Sequence, residues 1–270
     1  MVELLISFTS SMKMKSDNYY NVSLMEGEHV REIRIFEKVK PKGKKVKRLH
    51  ITKKSGNKKT NMESRTKSNH RAKKKIIGLI QNNFLNTKFS FITLTFRYNL
   101  EDVSMANEIL AKYIRKIRKI SKEEFKYICV MEFQKRGAIH YHLISNLYKP
   151  DYKKIHEYWA SIIKKDERIK DDGGSVRVEN ISNNDDAMRI SSYISKYMTK
   201  SLGKESLFGK KCYSTSKNLS RLKPSNMLID NAFNNENEIN RLIDNNQIIS
   251  RAEYTDAYSG KRIKYYSLAK

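Results

Sequence analysis

The 270-residue chain is poor in acid, in cysteine and in long apolar runs. Only 29 Asp and Glu stand against 55 Lys and Arg, leaving a formal net charge of +26, far more than solubility requires. Such a shortage of carboxylates predicts a strongly anionic partner, nucleic acid before an acidic membrane surface. The two cysteines, Cys129 in an apolar stretch and Cys212 in a basic one, exclude a disulfide framework and form no ligand pair in sequence. No apolar run approaches the ~18 residues of a spanning helix. The first ten residues carry Glu3 and no basic cluster, so no secretory leader is expected and the chain is placed in the cytoplasm.

The remaining length suffices for one large folded domain with extensions. Residues 1–75 are expected to be a basic, partly ordered arm, because the segment from Arg31 to Lys75 carries Lys40-Pro41-Lys42-Gly43-Lys44-Lys45-Val46-Lys47-Arg48 and Lys73-Lys74-Lys75 against Glu32, Glu37 and Glu63 alone. Like charges repel and resist packing, although Val30–Val39 alternates as a strand would. A folded domain is expected over 76–223. It opens with Ile76-Ile77-Gly78-Leu79-Ile80 and a β-branched, aromatic strand over 89–96. Val103, Ala106, Leu110, Tyr113, Ile114 and Ile117 then recur at helical spacing. A hairpin over 127–144 follows, then a helix marked by Ile155, Tyr158, Trp159, Ile162 and Ile163, a strand at Ser175–Val178, and a helix that Asp185 or Asp186 would cap. The order predicts an α+β fold, a central antiparallel sheet with helices against one face. Residues 224–270 read as a polar tail with one short helix near 236–243.

Two histidines separated by one residue, His140 and His142, sit in the strand-like Ala138-Ile139-His140-Tyr141-His142-Leu143-Ile144. Alternate strand residues share a face, so the two imidazoles lie about 6–7 Å apart and can share a cation. Glu132 is the candidate third ligand, and the turn decides its reach. A three-residue loop, Lys135-Arg136-Gly137, ends on a left-handed glycine and sets Gln134 opposite Ala138 and Glu132 opposite His140, on the histidine face. A two-residue loop would turn Glu132 away. In the first case the carboxylate and both imidazoles are expected to converge. A His, His, Glu set with open positions suits Mg²⁺ or Mn²⁺ acting on phosphate. Thr93 and Thr95 share a strand face and read as structural.

Tyr193, Lys196 and Tyr197 fall on one patch of the last helix. A phenol is a poor nucleophile until a cation or a polarised target assists it, which Lys196 and a metal would supply. Ala187, Ile190, Ile194 and Met198 form the apolar stripe, and Tyr197 lies nearer to it than Tyr193. Tyr193 is therefore the first choice of nucleophile, and Tyr197 is either a second nucleophile or an aromatic at the core edge. Attack on DNA would leave a 5′-phosphotyrosyl link and a free 3′-hydroxyl.

In kind and order, Phe91-Ile92-Thr93-Leu94-Thr95-Phe96, then Glu132 with Gly137-Ala138-Ile139-His140-Tyr141-His142, then Tyr193-Ile194-Ser195-Lys196-Tyr197 resemble the three motifs of HUH endonucleases. Within that superfamily they are most similar to rolling-circle replication initiators of small phages and plasmids, including the filamentous-phage and spiroplasma-phage type. The basic, serine-rich Gly209–Leu219 resembles the stretch that follows the tyrosine helix there. The resemblance implies an RNA-recognition-motif-like sheet and a metal held by His140, His142 and either Glu132 or Gln134. It makes Tyr193 the nucleophile, Lys196 its helper and Tyr197 the second tyrosine. It further implies single-stranded DNA and a replication origin as partners, with host helicase and polymerase. Gly203–Lys211 does not supply a nucleotide-binding loop: five residues separate its glycines and no Ser or Thr follows Gly209-Lys210. Two other readings remain, a tyrosine transposase of the same superfamily and a non-catalytic basic nucleic-acid binder.

Overall fold

A computed structural model describes residues 18–43, 58–121, 123–169, 173–200, 211–256 and 259–270, with the backbone alone for 58–67, 199 and 200. The chain divides into two compact units, residues 57–220 and the flanks 1–56 together with 221–270.

The flanking unit is a five-stranded antiparallel sheet. Its strands are β1 (Tyr19–Glu26), β2 (Val30–Pro41), β8 (Lys223–Met227), β9 (Gln247–Thr255) and β10 (Arg262–Ala269), in the order β8-β1-β2-β10-β9. Helix α5 (Glu236–Ile243) lies against it, capped by Asn235, whose side chain accepts from the backbone N–H groups of Asn237 and Glu238. Val22, Ile33, Ile35 and Leu268 leave one sheet face and pack with Phe233 and Ile239. Register fixes this face: Val22 opposes Ile35, Leu24 opposes Ile33, and Tyr266 opposes Ile33 from the other side. A bulge between Tyr20 and Val22 frees Asn21, whose amide pairs with both backbone groups of Ile229 at 2.7 and 2.9 Å. The separate arm and tail expected from composition are thus partners in one sheet, because β2 pairs with β10 across more than two hundred residues of sequence. The short helix and the strand near Val30 stand as expected.

The inner unit contains α1 (Lys58–Phe84), β3 (Phe89–Phe96), α2 (Val103–Ile120), β4 (Tyr127–Phe133), β5 (Ile139–Ser145), α3 (Tyr152–Lys164), β6 (Gly174–Ile181), α4 (Asn184–Lys200) and β7 (Tyr213–Thr215). The sheet is antiparallel throughout, in the order β6-β3-β5-β4-β7. Helices cover both faces rather than the one expected. Tyr141 donates its hydroxyl to Asn107 Oδ1 of α2 at 2.8 Å, whereas the next residue, His142, stacks on Tyr197 of α4. Adjacent strand residues point to opposite faces, so α2 and α4 lie on opposite sides. On the α2 side Phe96, Tyr113 and Trp159 form an aromatic core, and the Trp159 indole donates to Thr95 O at 3.0 Å. Gly174 admits this contact, since a Cβ there would collide with the same carbonyl. On the other side α1 packs against α4, with Gln81 Nε2 reaching Met188 Sδ at 3.7 Å. Lys73, Lys74 and Lys75, expected in the arm, lie on α1, whose Ile76, Ile80 and Phe84 are buried. Among the described residues no helix is long and apolar enough to cross a membrane.

Candidate active site

The turn that decides the site has the three-residue form. Gly137 adopts φ +95°, Gln134 N donates to Ala138 O at 2.9 Å, and Gly137 N donates to Gln134 O at 3.0 Å. Glu132 therefore opposes His140, and Val130 opposes His142. A side chain at Gly137 would be strained by that φ and would also run into the Glu101 carboxylate.

On the resulting face Glu132 reaches diagonally to His142, with Oε2 at 2.9 Å from Nε2. Thr93, directly opposite His142 on β3, holds the other ring nitrogen, Nδ1, at 3.3 Å. An ionised carboxylate only accepts, so the imidazole proton sits on Nε2 and Nδ1 accepts from the threonine hydroxyl. The ring is clamped between two aromatic planes: Tyr197 at 4.0 Å and 8°, and Phe91 at 5.7 Å and 10°.

His140 differs. It is partly buried, and its Nε2 is shut away from solvent without a hydrogen-bond partner. Burial, helped by the neighbouring His142, pushes its pKa down to about 4, so its ring is neutral at physiological pH. The full convergence expected of Glu132 with both imidazoles is not present. Glu132 and His142 meet, but among the described residues no group of three or more His, Cys, Asp or Glu is gathered to hold a metal ion. The physical reason is that, with no cation between them, carboxylate and imidazole satisfy each other by a hydrogen bond. Gln134 is turned elsewhere, its Oε1 accepting from Arg136 Nε at 3.0 Å while that guanidinium also donates to the carbonyls of Phe96 and Arg97.

The tyrosines come from α4. Its cap is Asn183, not Asp185 or Asp186: the Asn183 side chain accepts from Asp186 N at 2.8 Å and donates to the Asp186 carboxylate at 3.0 Å. Asp186 thus serves as the reciprocal partner in the first turn, where a negative charge also suits the helix dipole. Ala187, Ile190, Ile194 and Met198 are buried as the stripe requires. Tyr197, beside that stripe, is 6% exposed, whereas Tyr193 is 42% exposed. Their rings meet edge to face at 4.4 Å, and Tyr193 also approaches His142 and Phe91 at 6.2 and 6.0 Å between ring centres. Burial, a hydrogen bond with Tyr193 and the nearby Glu132 hold the Tyr197 hydroxyl well above the ordinary phenol range. Lys196 is exposed on the same helix.

Sequence reasoning missed three contributors. Phe91 packs on His142, and Thr93, read as structural, orients its ring. Arg177 opposes Thr93 from β6, so it is an exposed cation on the histidine face. Strand parity gave a signal for the first two. Arg177 had none, because nothing local says that β6 pairs with β3.

Residues 89–202 match the model of a family described as Replication-associated protein, ORF2 type. The matched segment runs from the first residue of β3 to just past α4, so it holds every residue of the histidine and tyrosine cluster. The match indicates a replication-associated protein and is consistent with a replication initiator of the phage and plasmid type, acting on DNA. No curated protein and no solved structure matches the chain. Residues 203–210, where a nucleotide-binding loop was considered and rejected, and Gly209-Lys210 of the serine-rich stretch lie outside the described residues; the end of that stretch forms β7 beside β4.

Proposed function

We propose that this protein nicks one DNA strand at a replication origin and later rejoins it, with Tyr193 as nucleophile. The observation that carries the reading is the packing of an exposed phenol from α4 against a histidine face assembled from three neighbouring strands. In this reading His140, His142 and Glu132 hold Mg²⁺ or Mn²⁺. The donor set fits such an ion: one buried, neutral imidazole has an unpartnered nitrogen, and the second is already oriented by Thr93 and beside a carboxylate. A divalent ion there would neutralise and polarise the scissile phosphate.

The chain's own groups account for the rest. The Tyr193 oxygen attacks phosphorus, the P–O bond to the 3′ oxygen breaks, and the phenol proton ends on the departing 3′-hydroxyl or in solvent. A 5′-phosphotyrosine forms and its bond energy is kept, so the 3′-hydroxyl can reverse the step without ATP. The Tyr197 hydroxyl, hydrogen-bonded to Tyr193, helps fix the direction of the attacking oxygen. Arg177 and Lys196 offer positive charge to the flanking phosphates. Unwinding of duplex DNA is left to a separate helicase.

The test is a denaturing gel of the protein incubated with single-stranded origin DNA and Mn²⁺. A covalent adduct that disappears on Tyr193→Phe or with EDTA supports the proposal. Salt-sensitive binding with no adduct in any metal leaves the non-catalytic binder, and strand joining confined to excised element ends leaves the transposase.

A further inference from the structure

On the opposite face of the same sheet lies a cavity of about 580 Å³, within the size range of small-molecule sites. It arises because the sheet extends past the helix that covers it. Helix α2 lies over β5 and β4, and the edge strand β7 adds a ledge beyond. The floor is apolar, formed by Leu110, Ile114, Cys129 and Met131. Asn107, Ala111, Arg115 and Arg118 recur at three- and four-residue spacing, so one face of α2 forms the wall.

Charge distinguishes this cavity from a packing defect. Arg115, Arg118 and Lys211 line it and are all exposed, with no acidic side chain among the lining residues. The ion pairs of α2 among the described residues join Lys112 to Asp166 and Glu108 to Arg168; none involves Arg115 or Arg118. Two guanidiniums held on one helix face above an apolar floor fit a ligand with an anionic end and a flat, weakly polar body. Asn107 adds a hydrogen-bonding edge. Its Oδ1 is taken by the Tyr141 hydroxyl, which leaves its amide nitrogen to donate to a ring carbonyl.

We propose that this cavity binds a nucleoside phosphate unit, base against the Leu110–Met131 floor and phosphate on Arg115 and Arg118, as a second nucleotide site on the face away from the histidines. The proposal does not depend on the nicking chemistry.

Cys212 makes a reporter for it, since it lines the cavity, whereas Cys129 is fully buried and its thiol is pushed up by burial. The rate of Cys212 modification by a small thiol reagent is measured on the full chain in EDTA, with thymidine monophosphate, thymidine, inorganic phosphate or a single-stranded oligonucleotide added. Saturation-transfer NMR of the mononucleotide is the second readout. The mononucleotide is expected to slow modification in proportion to occupancy, about tenfold at ten times its Kd. Thymidine or phosphate alone is expected to protect less. Arg115→Ala with Arg118→Ala is expected to abolish protection and saturation transfer while leaving the unliganded rate unchanged. Protection by the oligonucleotide but not by the monomer identifies a DNA strand as the source, and protection by both identifies free nucleotide as sufficient. Absence of protection by monomer and oligonucleotide alike, or protection that survives the double arginine substitution, overturns the assignment.

Discussion

The two five-stranded sheets of this protein are built from opposite kinds of information. The inner sheet is assembled from strands near one another along the chain, each with strong β-branched and aromatic character, and its central hairpin is closed by a three-residue turn. The flanking sheet is assembled from strands at opposite ends of the sequence, two of them polar, and it closes only when β10 docks on β2. The first carries its instructions locally; the second depends on a long-range pairing that no local pattern announces.

The largest effect that would break this contrast concerns chemistry. Tyr193→Phe is expected to lower adduct formation by at least about 10³-fold on the denaturing gel, because nothing replaces the attacking oxygen. Tyr197→Phe keeps the stack on His142 and is expected to leave the first cleavage measurable. An abolished first cleavage in that variant, with Tyr193→Phe active, would exchange their roles. Next comes the flanking core. Ile33→Ala deletes a fully buried side chain at the centre of the sheet and is expected to cost about 2–5 kcal/mol in chemical denaturation. A change below about 1 kcal/mol would mean that the β2–β10 pairing does not organise the unit.

A smaller effect tests the buried imidazole. His140 has its folded-state pKa pushed down to about 4 from an ordinary value of 6.5, so between those values the unfolded chain binds the extra proton. Stability from this group is therefore full above about pH 6.5 and is lost as pH falls toward 4, by at most about 3 kcal/mol before solvent screening. His140→Gln should flatten that limb of a stability–pH curve, and an unchanged limb would count against the burial argument. The smallest effect is at the tyrosine helix, where Asn183→Ala should cost about 1 kcal/mol in thermal unfolding while Asp185→Ala, away from the cap, costs less.

Most of the inner unit was legible in the sequence because periodicity and turn chemistry agree there. Gly137 at the end of Lys135-Arg136-Gly137 set the register, and the register set the face of Glu132. The 100° step of a helix separated exposed Tyr193 from buried Tyr197. What stayed hidden was relational. Asn183 outcompeted its two aspartate neighbours for the cap by a single position. Arg177 joined the histidine face only through the β3–β6 pairing. The flanking sheet was masked by its composition: β8 carries Pro224 and β9 is exposed along most of its length, so both read as loop. The gathering of three ligands was also beyond sequence reasoning, since spacing sets which side chains share a face but not which of them bond to each other.

The long-range pairing of β2 with β10 also sets an order of events during synthesis. On the ribosome, residues 58–220 emerge and can fold while β1 and β2, made earlier, still wait for their missing neighbours. The sheet of the flanks can close only after residue 269 has left the exit tunnel, so the histidine and tyrosine segment precedes it in time as well as in sequence. A nascent chain halted near residue 225 would then expose its basic, half-paired β1–β2 hairpin, and that truncated product is the form of this protein most prone to stick to nucleic acid and to itself.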